Sequence, residues 1–293
     1  MQHMLSWQEN GQQHQALWRT EGSNAPPKKV VPADDTMRAD DAFRLASEGT
    51  ALLWRGDFQN ARQLLQALAR RLDSRKSKKA PLPAGDPQAF HLYRQSQAQR
   101  ARTLGMLLIP FDPDYTIPLR RAPDVHEACT LAWGAPGASF VASLRELQGL
   151  IGAYEWRRKG VEVPALGARI HPHYGVFAPV RGEYVALVAD APLPAGASKL
   201  AFDIGTGTGV LAALLAKRGV AQVVATDTET RALDCARDNM HRLGLSGQVT
   251  LLQADLFPPG QAPLIVCNPP WLPGRAASAL DHAICDQDSR MLY

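Results

Sequence analysis

The sequence predicts an α/β protein whose second half forms a doubly wound parallel sheet behind a mainly helical N-terminal region. From residue 166 onwards, short apolar runs alternate with stretches of helical periodicity. A glycine-rich loop, residues 205–209, joins the first of these runs to a helix. Between residues 37 and 165, apolar residues recur mostly at helical spacing. We therefore expect a mainly helical domain over residues 37–165 and an α/β domain over residues 166–293.

The first half of the chain is divided by composition and by apolar spacing. Residues 1–36 are polar, contain Pro26-Pro27 and Lys28-Lys29, and are expected to be poorly ordered. Helices are predicted between Asp40 and Leu72, because apolar residues recur there in groups such as Ala51–Trp54. The remaining predicted elements are helices over residues 88–107, 124–134 and 140–158, and short extended segments over residues 107–110 and 115–118.

The second half reads as strands and helices in alternation. In chain order we predict a helix over residues 184–190, a strand over 199–202, a helix over 209–218, a strand over 222–225, a helix over 230–243, and strands over 249–252 and 264–266. In parallel sheets of this kind, the ligand lies at the carboxyl ends of the strands, near the point where strand order reverses. The residues that follow each predicted strand are therefore the candidates for a binding site.

The composition is typical of a globular protein from a reducing compartment. The chain has 293 residues, 45% of them hydrophobic, and no apolar run that could cross a bilayer. Its cysteines are widely spaced and form no CxxC pair, which favours a cytoplasmic location and argues against disulfides and zinc. His171 and His173 lack a third ligand at suitable spacing, so no metal site is predicted.

Positive charge is concentrated in one stretch of the N-terminal half. Between Arg70 and Arg102 there are nine basic residues and only two acidic ones, Asp73 and Asp86. Such a block attracts phosphate backbones, which would make nucleic acid a partner. It is equally consistent with a solvated helix end and linker.

The loop from Asp203 to Gly209, with the sequence DIGTGTG, is the first candidate binding element. Glycines at alternate positions allow a tight turn and a close approach of the backbone to a ligand. The next helix begins there, so its free N–H groups would face that ligand. The loop departs from the dinucleotide fingerprint GxGxxG, since Val210 occupies the position of the third glycine. It also lacks the GK[ST] sequence of a phosphate-binding P-loop.

Acidic residues follow the second and third predicted strands. Asp227 could accept both hydroxyls of a ribose, or could instead cap a turn or helix. Asp255 could accept the amino group of an adenine, with Leu256 packing on the ring, or could be a polar cap at a strand end.

The fourth predicted strand ends in Asn268-Pro269-Pro270-Trp271. The side-chain oxygen of Asn268 and the backbone carbonyl of Pro269 could accept hydrogen bonds from the two N–H groups of a planar amine. The paired prolines would fix the direction of that carbonyl. Trp271 offers a flat face for stacking, which is worth about 1–3 kcal/mol for a nucleobase. Taken alone, the motif is equally a rigid turn after a strand.

DIGTGTG, the acid after the second strand, the Ala-Asp-Leu after the third and NPPW after the fourth together resemble the class I S-adenosylmethionine-dependent methyltransferases, which have a Rossmann-like sheet. Within them, the chain resembles the amino-methylating branch of the methyltransferase small domain type. This resemblance covers roughly residues 170–293. It implies that S-adenosylmethionine is the cofactor and that its methionine part and ribose are held by Asp203 and by the loop residues Gly205, Thr206, Gly207 and Gly209. It also implies that Phe177 and Pro179 belong to a segment that covers the cofactor.

The substrate implied by the resemblance is a planar amino group, and three kinds remain open. A nucleobase amine in RNA or DNA is favoured by the basic stretch, with RNA preferred. The alternatives are a glutamine amide in a protein, and a small amine. A non-catalytic scaffold that binds the cofactor or RNA is the competing hypothesis from another class. No membrane partner is expected.

Sheets of this family normally have seven strands, and only four are readable here. Because 22 residues follow Trp271, we expect the chain to be a piece of a longer protein or the product of a truncated gene, with its sheet truncated after the fourth strand. That strand would then present an unpaired edge, and the cofactor affinity and activity of the piece would be reduced.

Overall fold

The computed structural model describes residues 3–22, 25–76, 87–180, 182–269, 272–273 and 285–286. The chain divides into two units after Ile151, with residues 21–23 grouped with the second unit. From the sequence, this boundary was expected at residue 165. None of the helices in the described part of the chain combines the length and apolar character that a bilayer span requires.

The first unit contains a six-stranded mixed sheet in the order β1-β2-β6-β5-β4-β3. Its strands are β1 (His3–Glu9), β2 (Gln12–Trp18), β3 (Lys29–Ala33), β4 (Thr50–Trp54), β5 (Leu107–Phe111) and β6 (Phe140–Ser143). The helices are α1 (Ala39–Ser47), α2 (Phe58–Lys76), α3 (Pro87–Leu104), α4 (His126–Trp133) and α5 (Leu144–Lys159), the last of which continues into the second unit. Strands β3, β4 and β5 are parallel neighbours, whereas β1–β2 and β5–β6 are antiparallel pairs.

The prediction that residues 1–36 are poorly ordered was wrong. Strands β1 and β2 form a hairpin around Asn10-Gly11, whose φ angles of 52° and 78° are those of a tight two-residue turn. Leu5 and Trp7 alternate with exposed neighbours and are buried. The Asn-Gly pair flanked by alternating residues was a readable hairpin signal.

Helices account for most of the regular structure over residues 37–165, but strands β4 and β6 were interpreted as helix, so the prediction missed the sheet. All five residues of β4 are buried between β3 and β5, so this strand is a continuous apolar run without alternation. Such a run cannot be told from a buried helix by periodicity. The predicted extended segment at residues 115–118 belongs to no strand: residue 115 is a bend, and residues 116–118 have no regular structure.

The second unit is built on a parallel sheet, as predicted. Its four strands have the order β11-β10-β9-β12 and are β9 (Leu200–Ile204), β10 (Gln222–Asp227), β11 (Val249–Gln253) and β12 (Leu264–Cys267). The helices α6 (Glu183–Asp190), α7 (Val210–Lys217) and α8 (Thr230–Leu243) agree with the predicted helices to within one residue at the described ends. The short elements are β7 (Val161–Val163), a 3₁₀ turn (Pro164–Leu166), β8 (Ala168–Ile170), β13 (Leu272–Pro273) and β14 (Cys285–Asp286).

Helix α7 is the most deeply buried helix of the second unit. Seven of its eight residues, Val210 to Ala216, are buried in a core that also contains Val185, Ala201 and Val223. Burial on all sides explains its apolar sequence and anchors the loop that precedes it. The glycine-rich loop, residues 205–209, therefore lies at the carboxyl ends of β9, β10 and β12, and the buried helix α7 fixes its C-terminal end.

Candidate functional site

The four parallel strands end at one level. In the register of the sheet, Thr226 of β10 and Cys267 of β12 both lie beside Ile204 of β9. The residues that follow these three positions, Asp227, Asn268 and Gly205, therefore leave the sheet along the same edge. Strand β11 continues this edge, because Gln253 pairs with Asp227. Sequence-distant candidates are thus brought together by strand register alone.

A cavity of about 450 Å³ opens at this edge. Its lining includes eight of the residues predicted from the sequence: Phe177, Asp203, Gly205, Thr206, Gly207, Asp227, Leu256 and Asn268. Three other predicted residues, Gly209, Asp255 and Pro269, are described by the structure but do not line the cavity. Pro270 and Trp271 lie outside the described residues.

The glycines of the loop serve two different purposes. Gly205 and Gly207 have φ angles of 69° and 53°, and a Cβ atom at either position would meet nothing within 4 Å. They leave a free cradle on the wall of the cavity. At Gly209, with φ of 81°, a Cβ atom would lie 2.9 Å from Cε of Met240 and 3.2 Å from Cβ of Ala236. Gly209 thus allows the start of α7 to pack closely against α8.

Asp203 organises the glycine loop from beneath. The residue is 1% exposed, and its Oδ2 accepts hydrogen bonds from the Thr206 hydroxyl at 2.6 Å and the Ala212 N–H at 3.0 Å. Burial raises the pKa of this carboxyl to about 6, against the opposing effect of its two hydrogen bonds. A bound cation beside it would favour the ionised form, so the residue suits a positively charged ligand group.

Asp227 connects the glycine loop to the start of α8. Its Oδ2 accepts the Gly207 N–H and its Oδ1 accepts the Glu229 N–H, both at 3.0 Å. Burial raises the pKa of this carboxyl, whereas the backbone hydrogen bonds lower it. A carboxylate offers about four acceptor positions, so capacity remains for the two hydroxyls of a ribose.

The loop after β11 is fixed by a buried threonine. The hydroxyl of Thr226, which is fully buried, donates to the Leu256 carbonyl at 2.7 Å. The carbonyl of Thr226 accepts the Thr206 N–H at 2.8 Å. Leu256 adopts a φ of 70°, a conformation that is strained for a residue with a branched side chain. Asp255 is exposed, so Leu256 rather than Asp255 forms the wall of the cavity here.

The segment upstream of α6 is held on α8 by side-chain hydrogen bonds. Asn239, fully buried, accepts the His171 N–H at 2.8 Å and donates to the Thr208 carbonyl at 3.0 Å. His173 Nε2 lies 2.8 Å from Asp238 Oδ2. These bonds account for both histidines as structural groups. They place Gly175, Val176 and Phe177 at the cavity, whereas Pro179 is buried and does not line it.

Sequence reasoning missed several residues of the cavity wall. Tyr184 on α6 lines it, and burial raises the pKa of its phenol to about 12. Thr228, Glu229, Arg231 and Ala232 contribute the wall at the start of α8. Their position directly after the acid of the second strand was the signal available for these four. Tyr184 follows no strand, and nothing in its neighbourhood distinguished it.

Comparison with known proteins gives a family match within the second unit. Residues 167–293 match the model of the family described as methyltransferase small domain. A release factor glutamine methyltransferase of Rhodopirellula baltica is 42% identical over 90 residues, which cover 29% of this chain and 29% of that protein. A tRNA1(Val) (adenine(37)-N6)-methyltransferase of Glaesserella parasuis serovar 5 is 38% identical over 80 residues, covering 26% of this chain and 34% of that protein.

These matches are local. The chain spans about a third or less of the length of the curated relatives it matches. Among solved structures, a SAM-dependent methyltransferase from Thiobacillus denitrificans in complex with S-adenosyl-L-homocysteine has a TM-score of 0.26 and 22% identity, covering 30% of this chain and 36% of that one. A TM-score of this size supports no conclusion about the site.

Proposed function

We propose, from the fact that residues 167–293 belong to the methyltransferase small domain family, that the chain transfers a methyl group from S-adenosylmethionine to a planar amino nitrogen. The observation that carries this proposal is the shared cavity. Asn268, at the end of β12, lines the same cavity as the glycine loop of β9 and Asp227 of β10. The residues that would hold the cofactor and the residue that would accept a hydrogen bond from the amine therefore line one cavity.

The residues of the cavity fit this cofactor. The open cradle at Gly205 and Gly207 leaves room for a close approach of the cofactor to the backbone, and Asp227 has acceptor capacity for the ribose. Asp203 is a buried carboxylate that lines the cavity where the positively charged methionine part of the cofactor would be held. Leu256, in its constrained conformation, and Phe177 supply apolar walls for an adenine ring.

When bound, S-adenosylmethionine supplies an electrophilic methyl group carried on a sulfonium. The task of the protein is to orient the nucleophile, whose lone pair is delocalised into a ring or a carbonyl. The Asn268 side-chain oxygen, which lines the cavity, would accept a hydrogen bond from one N–H group of the amine. The motif assigns the second N–H group to the carbonyl of the adjacent Pro269, which is not part of the cavity wall. Two such acceptors would direct the lone pair towards the methyl group. The nitrogen becomes acidic once methylated, so its proton can pass to water without a strong general base.

We favour a nucleobase amine in RNA as the substrate, with a protein glutamine amide as the second candidate. Both candidates are planar groups with two N–H bonds, and relatives with each specificity are among the matches. The basic stretch between Arg70 and Arg102 in the first unit favours RNA. The 42% identity to a release factor glutamine methyltransferase favours the amide.

Methyl transfer from labelled S-adenosylmethionine to total RNA and to total protein tests this function. The wild type should label RNA, and Asn268→Ala should lower the rate by about 100-fold, as expected when one hydrogen-bonding group is removed from a catalytic site. Gln222→Ala, at the opposite end of β10, removes a carboxamide outside the cavity and serves as the matched control. Label in protein alone would select the second candidate. Absence of label from both pools, or equal rates in Asn268→Ala and wild type, would contradict the proposal.

A further inference from the structure

Three arginines meet around the N-terminus of α2 in the first unit. Arg120 Nε and Arg121 Nε both donate to Oδ2 of Asp57, at 2.8 and 2.7 Å. Asp57 is fully buried, whereas the arginine side chains are 74% and 59% exposed. The two guanidinium groups therefore converge on one oxygen and keep their outer N–H groups in solvent. Arg62 joins them through Gln59, whose amide contacts both Arg62 Nη1 and the Arg121 carbonyl.

This arrangement contains more positive charge than the buried carboxylate requires. One cation would neutralise Asp57. The second guanidinium group lies close to the first and is repelled by it. Arg121 also adopts a φ of 57°, which is unfavourable for a non-glycine residue. The turn is nevertheless firmly held, because the Phe58 N–H donates to the Arg120 carbonyl at 3.0 Å. A strained and repulsive arrangement that the surrounding residues hold in place is typical of a binding position.

The position of the cluster in the fold also suits an anion. Asp57 follows β4, so the cluster lies at the carboxyl end of the parallel strands β3, β4 and β5, where α/β sheets place ligands. It surrounds the N-terminus of the 19-residue helix α2, which Asp57 caps by accepting the Gln59 N–H. The acidic neighbours Asp35 and Asp57 accept hydrogen bonds from the protein itself. With these two carboxylates counted, the three arginines leave a net charge of +1.

The positive charge continues along α2. Arg62, Gln66 and Arg70 are spaced four residues apart and are all exposed, so they form one stripe on the helix surface. Other members of the basic stretch predicted from the sequence are neutralised: Arg71 pairs with Asp40, and Arg100 pairs with Asp73. The side chains of Arg75, Lys76, Lys78 and Lys79 lie outside the described residues. The exposed guanidinium groups thus form a track from Arg120 and Arg121 through Arg62 to Arg70.

We infer that this arginine track (Arg62, Arg70, Arg120 and Arg121) binds phosphates of an RNA strand. Guanidinium groups match phosphate geometry by paired hydrogen bonds, and four guanidinium groups along one surface suit a chain of anions better than a single carboxylate. The inference deepens the proposed function, on which it rests, because it assigns the surface that holds the backbone of the RNA substrate.

Binding of fluorescently labelled unfractionated tRNA across a salt series tests this inference in the full chain without cofactor. Two double variants are compared with wild type, R120Q/R121Q and R62Q/R70Q. Each should weaken binding several-fold and reduce the slope of log affinity against log salt by about 0.7–0.9 for every phosphate that the variant no longer neutralises. The second variant touches no buried carboxylate, so it remains informative if removal of both Asp57 partners unfolds the first unit.

The matched control is R44Q/R158Q. Both arginines are 60% exposed, pair with a glutamate on their own helix or at its end, and lie outside the track. Affinities and slopes of R62Q/R70Q that equal those of this control would overturn the inference. Displacement of the tRNA by poly-glutamate at equal charge would also overturn it, and would assign the track to an acidic protein surface.

The same protein separates this failure from failure of the proposed function. Asn268→Ala should lose methyl transfer while keeping the wild-type salt slope of tRNA binding, because Asn268 neutralises no phosphate. If the wild type methylates RNA but R62Q/R70Q binds tRNA as tightly as the wild type, the arginine track is refuted and the proposed function is not. A wild type that methylates only protein would refute RNA as the substrate, whatever the salt slope.

Discussion

At the scale of single residues, the candidate site shows that a motif read as one unit contains residues with separate physical roles. Gly205 and Gly207 leave open space at the cavity, whereas Gly209 makes room for α8. Asp203 holds the loop through Thr206 and Ala212 instead of only presenting a carboxylate to a ligand. The spacing of DIGTGTG located these residues correctly but did not separate their roles, because those depend on what packs around each one.

Alanine substitutions at Gly207 and Gly209 should therefore differ in the property that they mainly change: cofactor affinity at Gly207 and stability at Gly209. Gly207→Ala costs about 1–2 kcal/mol for its left-handed φ, meets no neighbouring atom, and should weaken S-adenosylmethionine binding about tenfold or more by filling the cradle. Gly209→Ala forces a contact with Met240 and should lower the free energy of unfolding by about 2–4 kcal/mol. Thermal unfolding and cofactor titration of both variants measure the contrast. Equal loss of stability in the two variants would argue against the division of roles.

The pKa of Asp203 gives a pH dependence with a definite sign. Because burial raises its folded pKa from 3.8 to about 6, the unfolded chain ionises first as pH rises. The contribution of Asp203 to stability is therefore greatest below about pH 4 and declines until about pH 6, by roughly 1.4 kcal/mol for each pH unit between those limits. Denaturant unfolding of wild type and Asp203→Asn from pH 4 to 7 should show the wild type losing stability relative to the variant. A difference between the two proteins that is independent of pH would exclude this assignment.

At the scale of secondary-structure elements, strand register is what assembles the site. The ends of β9, β10 and β12 lie level, and Thr226 fastens two of the loops that follow the strands of this sheet. The strands of the second unit were predictable because they alternate with helices along the sequence. In the first unit, β5 was predicted and the β1–β2 hairpin was readable, but β4 and β6 were not, since β4 is buried on both faces and β6 runs directly into α5. Local periodicity carries no information about which neighbours a strand will have.

Thr226→Val should loosen the loop after β11 without changing the shape of the core. The substitution removes the hydrogen bond to the Leu256 carbonyl and should cost about 1–3 kcal/mol of stability. Leu256 would then be free to leave its strained conformation, so the affinity for S-adenosylmethionine should fall while the rate at saturating cofactor changes little. Thr226→Ser keeps the hydroxyl and should restore the affinity. If the serine variant binds as poorly as the valine variant, the hydroxyl is not what positions this wall.

At the scale of the whole molecule, the chain joins two α/β units of different character. The parallel sheet and the helices of the second unit could be predicted from its sequence. The motif residues Asp203, Gly205, Thr206, Gly207, Asp227, Leu256 and Asn268 were located on the cavity wall, but more of that wall was not predicted. The first unit could not, because its identity as a sheet depends on long-range strand pairing. The arginine track shows the same limit. Arg120 and Arg121 lie outside the basic stretch in the sequence and meet Arg62 only through Asp57 and Gln59.

Isothermal titration of the full chain with S-adenosylmethionine tests the central claim most directly, namely that the cavity at the carboxyl edge of the second sheet is a cofactor site. The wild type should bind with one-to-one stoichiometry, and Asp227→Ala should weaken binding at least about tenfold, since its hydrogen bonds to the ribose should be worth about 1.4 kcal/mol or more. Asp190→Ala, exposed at the end of α6, should bind like the wild type. A folded wild type that binds no cofactor, or an Asp227→Ala variant that binds as tightly as the wild type, would contradict the claim.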